Sequence, residues 1–173
     1  GSNLVLMCSF KSPDQNRLVE ILHSRVKSVP QPEPTGGSEA EKAWIDYRLQ
    51  LKKAILEDDV SDFMNWDVIK SFIYLNTSPK EFESLKNLPS WGKFEKALGE
   101  SPVGRPKPFS GYPASSGNLI HQAYNLAQLM EIGNCPVEDL PQIVEFGGGF
   151  GTMCKLVHQL GFKGRYIIFD LPE

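Results

Sequence analysis

The sequence predicts an α/β chain: a helical N-terminal region followed by the first β-α-β of a nucleotide-binding sheet. Three observations carry this. Residues 144–151 read VEFGGGFG, a short apolar strand running into a glycine loop. The residues after it are spaced as a helix, over about 149–160. About twenty residues beyond the loop, residues 166–169 (YIIF) form a second apolar run that ends in Asp170. A strand, a glycine turn, a helix and a second strand closed by a carboxylate are the parts of a nucleotide-binding half-unit.

The elements before it read as helices. Residues 14–26 place Leu18, Ile21, Leu22 and Val26 on one face. Residues 30–37 (PQPEPTGG) are a loop, because three prolines and two glycines cannot hold a helix. Ser38 followed by Glu41 is a capping box, which starts a helix running to about Leu56. Its inward residues are Trp44, Leu51 and Ile55; Lys52, Lys53 and Glu57 face outward. Asp58 and Asp59 interrupt it, and Phe63, Trp66, Ile69, Ile73 and Tyr74 continue a helical stripe. Ser78, Pro79 and Glu81 form an N-cap signature for a helix ending near Leu88, and residues 91–98 make a short one closed by Gly99. The aromatic residues of this region, spaced as helix faces, are expected in a core rather than in a pocket.

Residues 101–118 (SPVGRPKPFSGYPASSGN) change character, with four prolines, three glycines and two basic residues. A loop of this length either links domains or touches a ligand. On the second reading Arg105, Lys107, Ser110, Tyr112, Ser115 and Ser116 are contacts. Residues 119–132 then form a helix closed by Gly133, with Leu119, Ala123, Leu126, Ala127 and Met130 buried. His121 and Asn125 share a face of it, toward a ligand or toward solvent. The expected organisation is thus a helical region (1–100), a Pro/Gly-rich loop or linker (101–118) and the beginning of a cofactor-binding domain (119–173).

Composition excludes several classes. A net charge of −3 lacks the basic face of a nucleic-acid binder or a polybasic membrane module. No apolar run approaches the roughly 20 residues that span a bilayer. The three cysteines (Cys8, Cys135, Cys154) are odd in number and far apart, which argues against a disulfide framework or a metal site and fits a reducing cytoplasm.

Glycine spacing separates the cofactor classes. A dinucleotide loop reads G-x-G-x-x-G, but counting from Gly147 the third position is Thr152. Here the pattern is Glu145-x-Gly147-x-Gly149-x-Gly151, with Gly148 between. This resembles motif I of class I S-adenosylmethionine-dependent methyltransferases, and Asp170 matches their ribose-binding acid. With YPASSGNLIHQAYNLAQL before it and YIIFDLPE after it, residues 112–173 resemble the sugar O-methyltransferase family of bacterial polysaccharide gene clusters.

The resemblance implies a Rossmann-like methyltransferase fold, truncated here after strand 2, and methyl transfer from S-adenosylmethionine to a sugar hydroxyl. It implies cofactor contacts at Glu145, Gly147, Gly148, Gly149, Gly151, Asp170 and Leu171. Glu145 would position the loop or an ammonium group, Asp170 would hold the ribose, and Leu171 would pack beside the adenine. Substrate contacts are expected from Tyr112, Ser115, Ser116 and His121. The substrate is a small molecule or glycan; further strands come from a longer chain or a partner chain, a homo-oligomer included. No catalytic base is assigned, and such a fragment is expected to be inactive alone. Two other readings stay open: a different Rossmann nucleotide-binding oxidoreductase, and a non-catalytic module working through the helices of residues 14–98.

Overall fold

The computed structural model describes residues 13–32, 37–73 and 77–170; the apolar run at residues 4–7, Cys8, Tyr74 and Leu171 lie outside them. Among the described residues, seven α-helices and four short strands in two small sheets make a mixed α/β arrangement. The chain divides into two compact units between Val60 and Ser61.

The first unit pairs α1 (Pro13–Ser28) with α2 (Glu39–Glu57). The serine half of the capping box forms. Ser38 is extended and its side chain accepts the Glu41 N–H at 3.3 Å, while the Glu41 carboxylate folds over Gly37 where a Cβ would stand. The helix stops at Asp58, whose N–H donates to Ala54 O at 2.9 Å. Val26, Ala54 and Ile55 are buried. Leu18 and Ile21 are exposed, as is half of Trp44, contrary to the expected inward faces. Two packed helices share a seam narrower than the apolar stripes their sequences carry. Lys52, expected outward, instead reaches Val29 O at 2.6 Å and satisfies a carbonyl beyond the end of α1.

In the second unit the stripe predicted over Phe63 to Ile73 does not form one helix. A 3-10 turn (Val60–Asn65) and a single turn of helix, α3 (Asp67–Lys70), take its place, and Met64 and Val68 are the buried residues. The cause is distant in sequence. Met64 N–H donates to Gly104 O at 3.1 Å, and Gly104, at φ 77°, sits so close that a Cβ would lie 2.7 Å from Met64 Cγ. Gly104 and Arg105 (φ 52°) are consecutive left-handed residues, a geometry that glycine tolerates and arginine resists.

Next come α4 (Pro79–Lys86), capped by Ser78 with Pro79 at its first position, and α5 (Trp91–Ala97). The segment 101–118, expected without regular structure, contains an antiparallel hairpin of β1 (Pro108–Phe109) and β2 (Tyr112–Ser116). Its prolines are tolerated because a two-stranded sheet has only edges. The following helix, α6 (Gly117–Gly133), starts two residues earlier than predicted, with the Ser116 side chain accepting the Leu119 N–H at 3.2 Å. Gly133 is its last residue rather than its cap; Asn134 takes the left-handed position (φ 42°, ψ 43°). A 3-10 turn (Val137–Asp139) leads into β3 (Gln142–Phe146), α7 (Thr152–Gln159) and β4 (Arg165–Phe169).

The core of this unit surrounds α6. Leu119, Ile120, Ala123, Leu126 and Ala127 meet Phe82 and Leu85, Phe94 and Leu98, and Leu156 and Val157 in one buried cluster. Phe82 and Phe94 are core, as predicted, but Phe72 is exposed. Leu85 is wholly buried, whereas Leu129, on the outer side of α6, is 67% exposed. Leu85→Ala should therefore cost about 2–5 kcal/mol in chemical denaturation, and Leu129→Ala less than about 0.5 kcal/mol.

Candidate functional site

Strands β3 and β4 are parallel and in register, with Val144 beside Ile167, Glu145 beside Ile168 and Phe146 beside Phe169. Alternation puts Ile143, Glu145, Tyr166 and Ile168 on one face, where Ile143 and Tyr166 pack against the core. Val144, Phe146, Ile167 and Phe169 share the other face, on which the rings of Phe146 and Phe169 stack at 5.3 Å.

The glycine loop leaves the end of β3, and each of its four glycines answers a separate demand. Gly147, Gly149 and Gly151 have φ of 72°, 51° and 78°, where a side chain would be strained. No atom lies within 4 Å of a Cβ built on any of these three, so the space above the backbone is open. Gly148 is limited from below: a Cβ there would meet Ile168 Cγ2 at 2.7 Å and Glu145 Oε2 at 3.0 Å. Gly147 N–H donates to Phe169 O at 2.8 Å, tying the loop's first residue to β4. Gly151 N–H donates to Gly148 O at 2.9 Å, and Lys155 N–H to Gly151 O at 2.9 Å, which turns the chain into α7.

The two predicted carboxylates hold this loop from opposite sides. Asp170, at the end of β4, accepts the Gly149 N–H through Oδ2 at 2.5 Å. Glu145, beneath Gly148, accepts the Tyr166 hydroxyl at 2.9 Å. Burial, then that hydrogen bond and the Glu145 charge, then Cys154, push Tyr166 ionisation well above its ordinary value of 10.0. Burial and the Glu145 charge likewise raise the Cys154 thiol.

A cavity of about 280 Å³ opens where the loop enters α7. Phe150, Gly151, Thr152 and Lys155 form one wall; Phe63, Val103, Glu100 and Ser101 face them. Phe150 meets Phe63 edge to face at 5.5 Å. Glu100 accepts the Ser101 N–H at 2.9 Å and the Ser116 hydroxyl. Glu100 and Lys155 escape a motif search, although Glu100 directly follows the predicted helix end at Gly99.

The predicted substrate contacts separate. Lys107, Ser110 and Ser116 line a second cavity of about 770 Å³, which shares Met64, Pro106 and Asn118 with the first. Tyr112 packs on Phe82 at 5.2 Å, in the aromatic core. Ser115 is buried, its hydroxyl without a hydrogen-bond partner among the described residues. His121 lies against α4, with Nδ1 3.3 Å from both Glu81 carboxylate oxygens and Nε2 accepting the Asn125 amide at 3.1 Å. Among the described residues, no three His, Cys, Asp or Glu side chains converge as metal ligands, and no helix is long and apolar enough to cross a membrane. No family model matches the chain, and neither a curated protein nor a solved structure does.

The Tyr166–Glu145 pair predicts an alkaline effect. The folded state holds the phenol proton more tightly than the unfolded chain, so this contribution is complete below the ordinary value of 10.0 and is lost as pH rises above it. Circular dichroism should show stability falling through that alkaline range, with a shallower fall in Tyr166→Phe.

Proposed function

We propose that the loop of Gly147–Gly151 and the carboxylate of Asp170 bind S-adenosylmethionine, and that the protein is a methyltransferase acting on a sugar hydroxyl. The single observation that carries this reading is the β3–glycine loop–α7–β4 unit, with an acid at the end of β4 and open backbone at three glycines. The residues present suit this cofactor. Open space at Gly147, Gly149 and Gly151 admits a ligand against the main chain, as a methionine and ribose would require. Asp170, although bonded to Gly149, has further lone pairs with which to accept hydrogen bonds from a ribose diol. The three carboxylates of Glu145, Asp170 and Glu100 outnumber the one nearby ammonium, Lys155, a balance that favours a cationic ligand over a pyrophosphate and disfavours a dinucleotide.

When bound, the cofactor supplies an electrophilic methyl group to a hydroxyl oxygen, the hydroxyl losing its proton and a neutral thioether departing. The chain's own part is positional. Tyr166 and Glu145 support the loop from beneath, Asp170 ties it to β4, and Phe63 and Phe150 flank the cavity beside it.

Calorimetry with S-adenosylhomocysteine on the full chain tests the cofactor half. Binding is expected, and Asp170→Ala should weaken it about tenfold or more, the size of a lost charged hydrogen bond. Asp170→Asn retains an acceptor for Gly149 N–H, so a smaller loss there would separate loop support from ligand contact. Unchanged affinity in Asp170→Ala would remove the ribose assignment, and tight binding of a nicotinamide dinucleotide would favour the oxidoreductase reading.

A further inference from the structure

The larger of the two cavities differs from its neighbour in charge. It is bordered by two ammonium groups, Lys70 and Lys107, and none of the described residues lining it carries a carboxylate. We propose that this cavity takes a small polyhydroxylated ligand bearing an anionic group, a phosphate or a carboxylate, and that this ligand is the methyl acceptor. Its role as acceptor rests on the methyltransferase reading above; its preference for an anion does not.

Size and lining set the class. At about 770 Å³ the cavity falls within the range of small-molecule sites. Hydroxyls at Ser78 and Ser110 suit a polyol, while Met64, Ile73 and Phe109 supply apolar wall. A neutral sugar would bring no counter-charge to either lysine, whereas a phosphate or carboxylate completes charge-assisted hydrogen bonds with them.

Two nearby carboxylates are committed elsewhere. Glu100 accepts from the Ser116 hydroxyl and Ser101 N–H, and Glu81 is against His121. Asp67 holds Lys70 at 2.7 Å, but its side chain is almost fully in solvent. An exposed pair of this kind contributes little, so a ligand oxygen can replace it at small cost.

The framework adds to the same polarity. The N-terminal ends of α4, at Ser78 and Pro79, and of α6, at Gly117 and Asn118, both border the cavity. Their dipoles add positive potential to that of the lysines. The Thr77 hydroxyl donates to Gly117 O and ties these two helix starts together. The shared residues Met64, Pro106 and Asn118 place the cavity directly beside the one at the glycine loop, as an acceptor site must be.

The test is nitrogen-15 NMR titration of the full chain with glucose 1-phosphate, glucuronate and glucose. Either charged sugar should shift the amides of Lys70, Thr77, Lys107, Ser110 and Gly117, with glucose at the same concentration leaving them in place. Tighter binding of the phosphate or of the carboxylate identifies the anion. Lys70→Ala with Lys107→Ala should weaken the charged sugar about tenfold or more, and the corresponding arginine pair should retain it. The spectrum of each variant reports its own folding. Equal binding of glucose, shifts confined to another surface, undiminished affinity in the alanine pair, or no binding of either charged sugar would each overturn the proposal. S-adenosylhomocysteine calorimetry on the same sample separates the two readings. Cofactor binding without sugar-anion binding removes only the anion site, and the reverse removes only its role as acceptor site.

Discussion

Burial of α6 on several sides is the constraint on which the second unit depends. Leu119, Ile120, Ala123 and Ala127 are at most 1% exposed, so the helix is buried on several sides over its first two turns, and Asn125 in the third is its first exposed residue. Helices α4 and α7 and strand β2 all pack on it. Small residues at 123 and 127 allow close approach, while Leu119 and Ile120 fill the volume between. Because β2 ends where α6 begins, the N-cap at Ser116 sets the position of both. Ser116 accepts the Leu119 N–H and donates to Glu100, so one hydroxyl joins the helix start, the hairpin and the wall of the glycine-loop cavity. The site is therefore held in place by the core.

The glycine loop is a second, more local constraint that depends on the first. Helix α7 presses Leu156 and Val157 into the α6 cluster, and this fixes where the loop must end. The loop's beginning is set by the β3–β4 ladder, continued by Gly147 N–H to Phe169 O. Between those points the chain turns through three left-handed residues over Ile168 and the Glu145 carboxylate, which together leave no space for a Cβ at Gly148. Glu145 could serve either the loop or an ammonium group on sequence grounds; its bond from Tyr166 and its place beneath Gly148 favour support of the loop.

The parts legible in the sequence were those determined by near neighbours. The caps at Ser38 and Ser78, the helix of residues 117–133 and the strand–loop–helix–strand run each follow from residues within a few positions of one another. Asp170 was read as a ribose-binding acid, and its bond from the Gly149 N–H was not foreseen. What escaped was set at long range. Gly104 breaks the expected helix at Met64 from forty positions away, and a tally of apolar residues in one stretch cannot register that. The hairpin of residues 108–116 was masked by its own prolines, which argue against strands except at edges. His121 was expected near a ligand or in solvent, and Glu81, forty residues earlier, takes it instead.

Charge separates the two neighbouring cavities, and this gives the proposed chemistry a physical order. Glu100 and Lys155 both border the cavity at the loop, and Glu145 and Asp170 hold the loop itself, so the balance there is acidic and favours a cationic ligand such as a sulfonium. Lys70 and Lys107 border the cavity beside it, a setting that favours an anion. Two ligands of opposite charge would each be repelled from the other's site, so the protein would sort them without requiring a close steric fit at either. The same arrangement would draw them toward one another across Met64, Pro106 and Asn118. Transfer of a methyl cation equivalent to a hydroxyl needs that approach and little charge stabilisation at the oxygen beyond removal of its proton. On the proposed reading, then, orientation across this shared wall is the contribution the fold makes to rate.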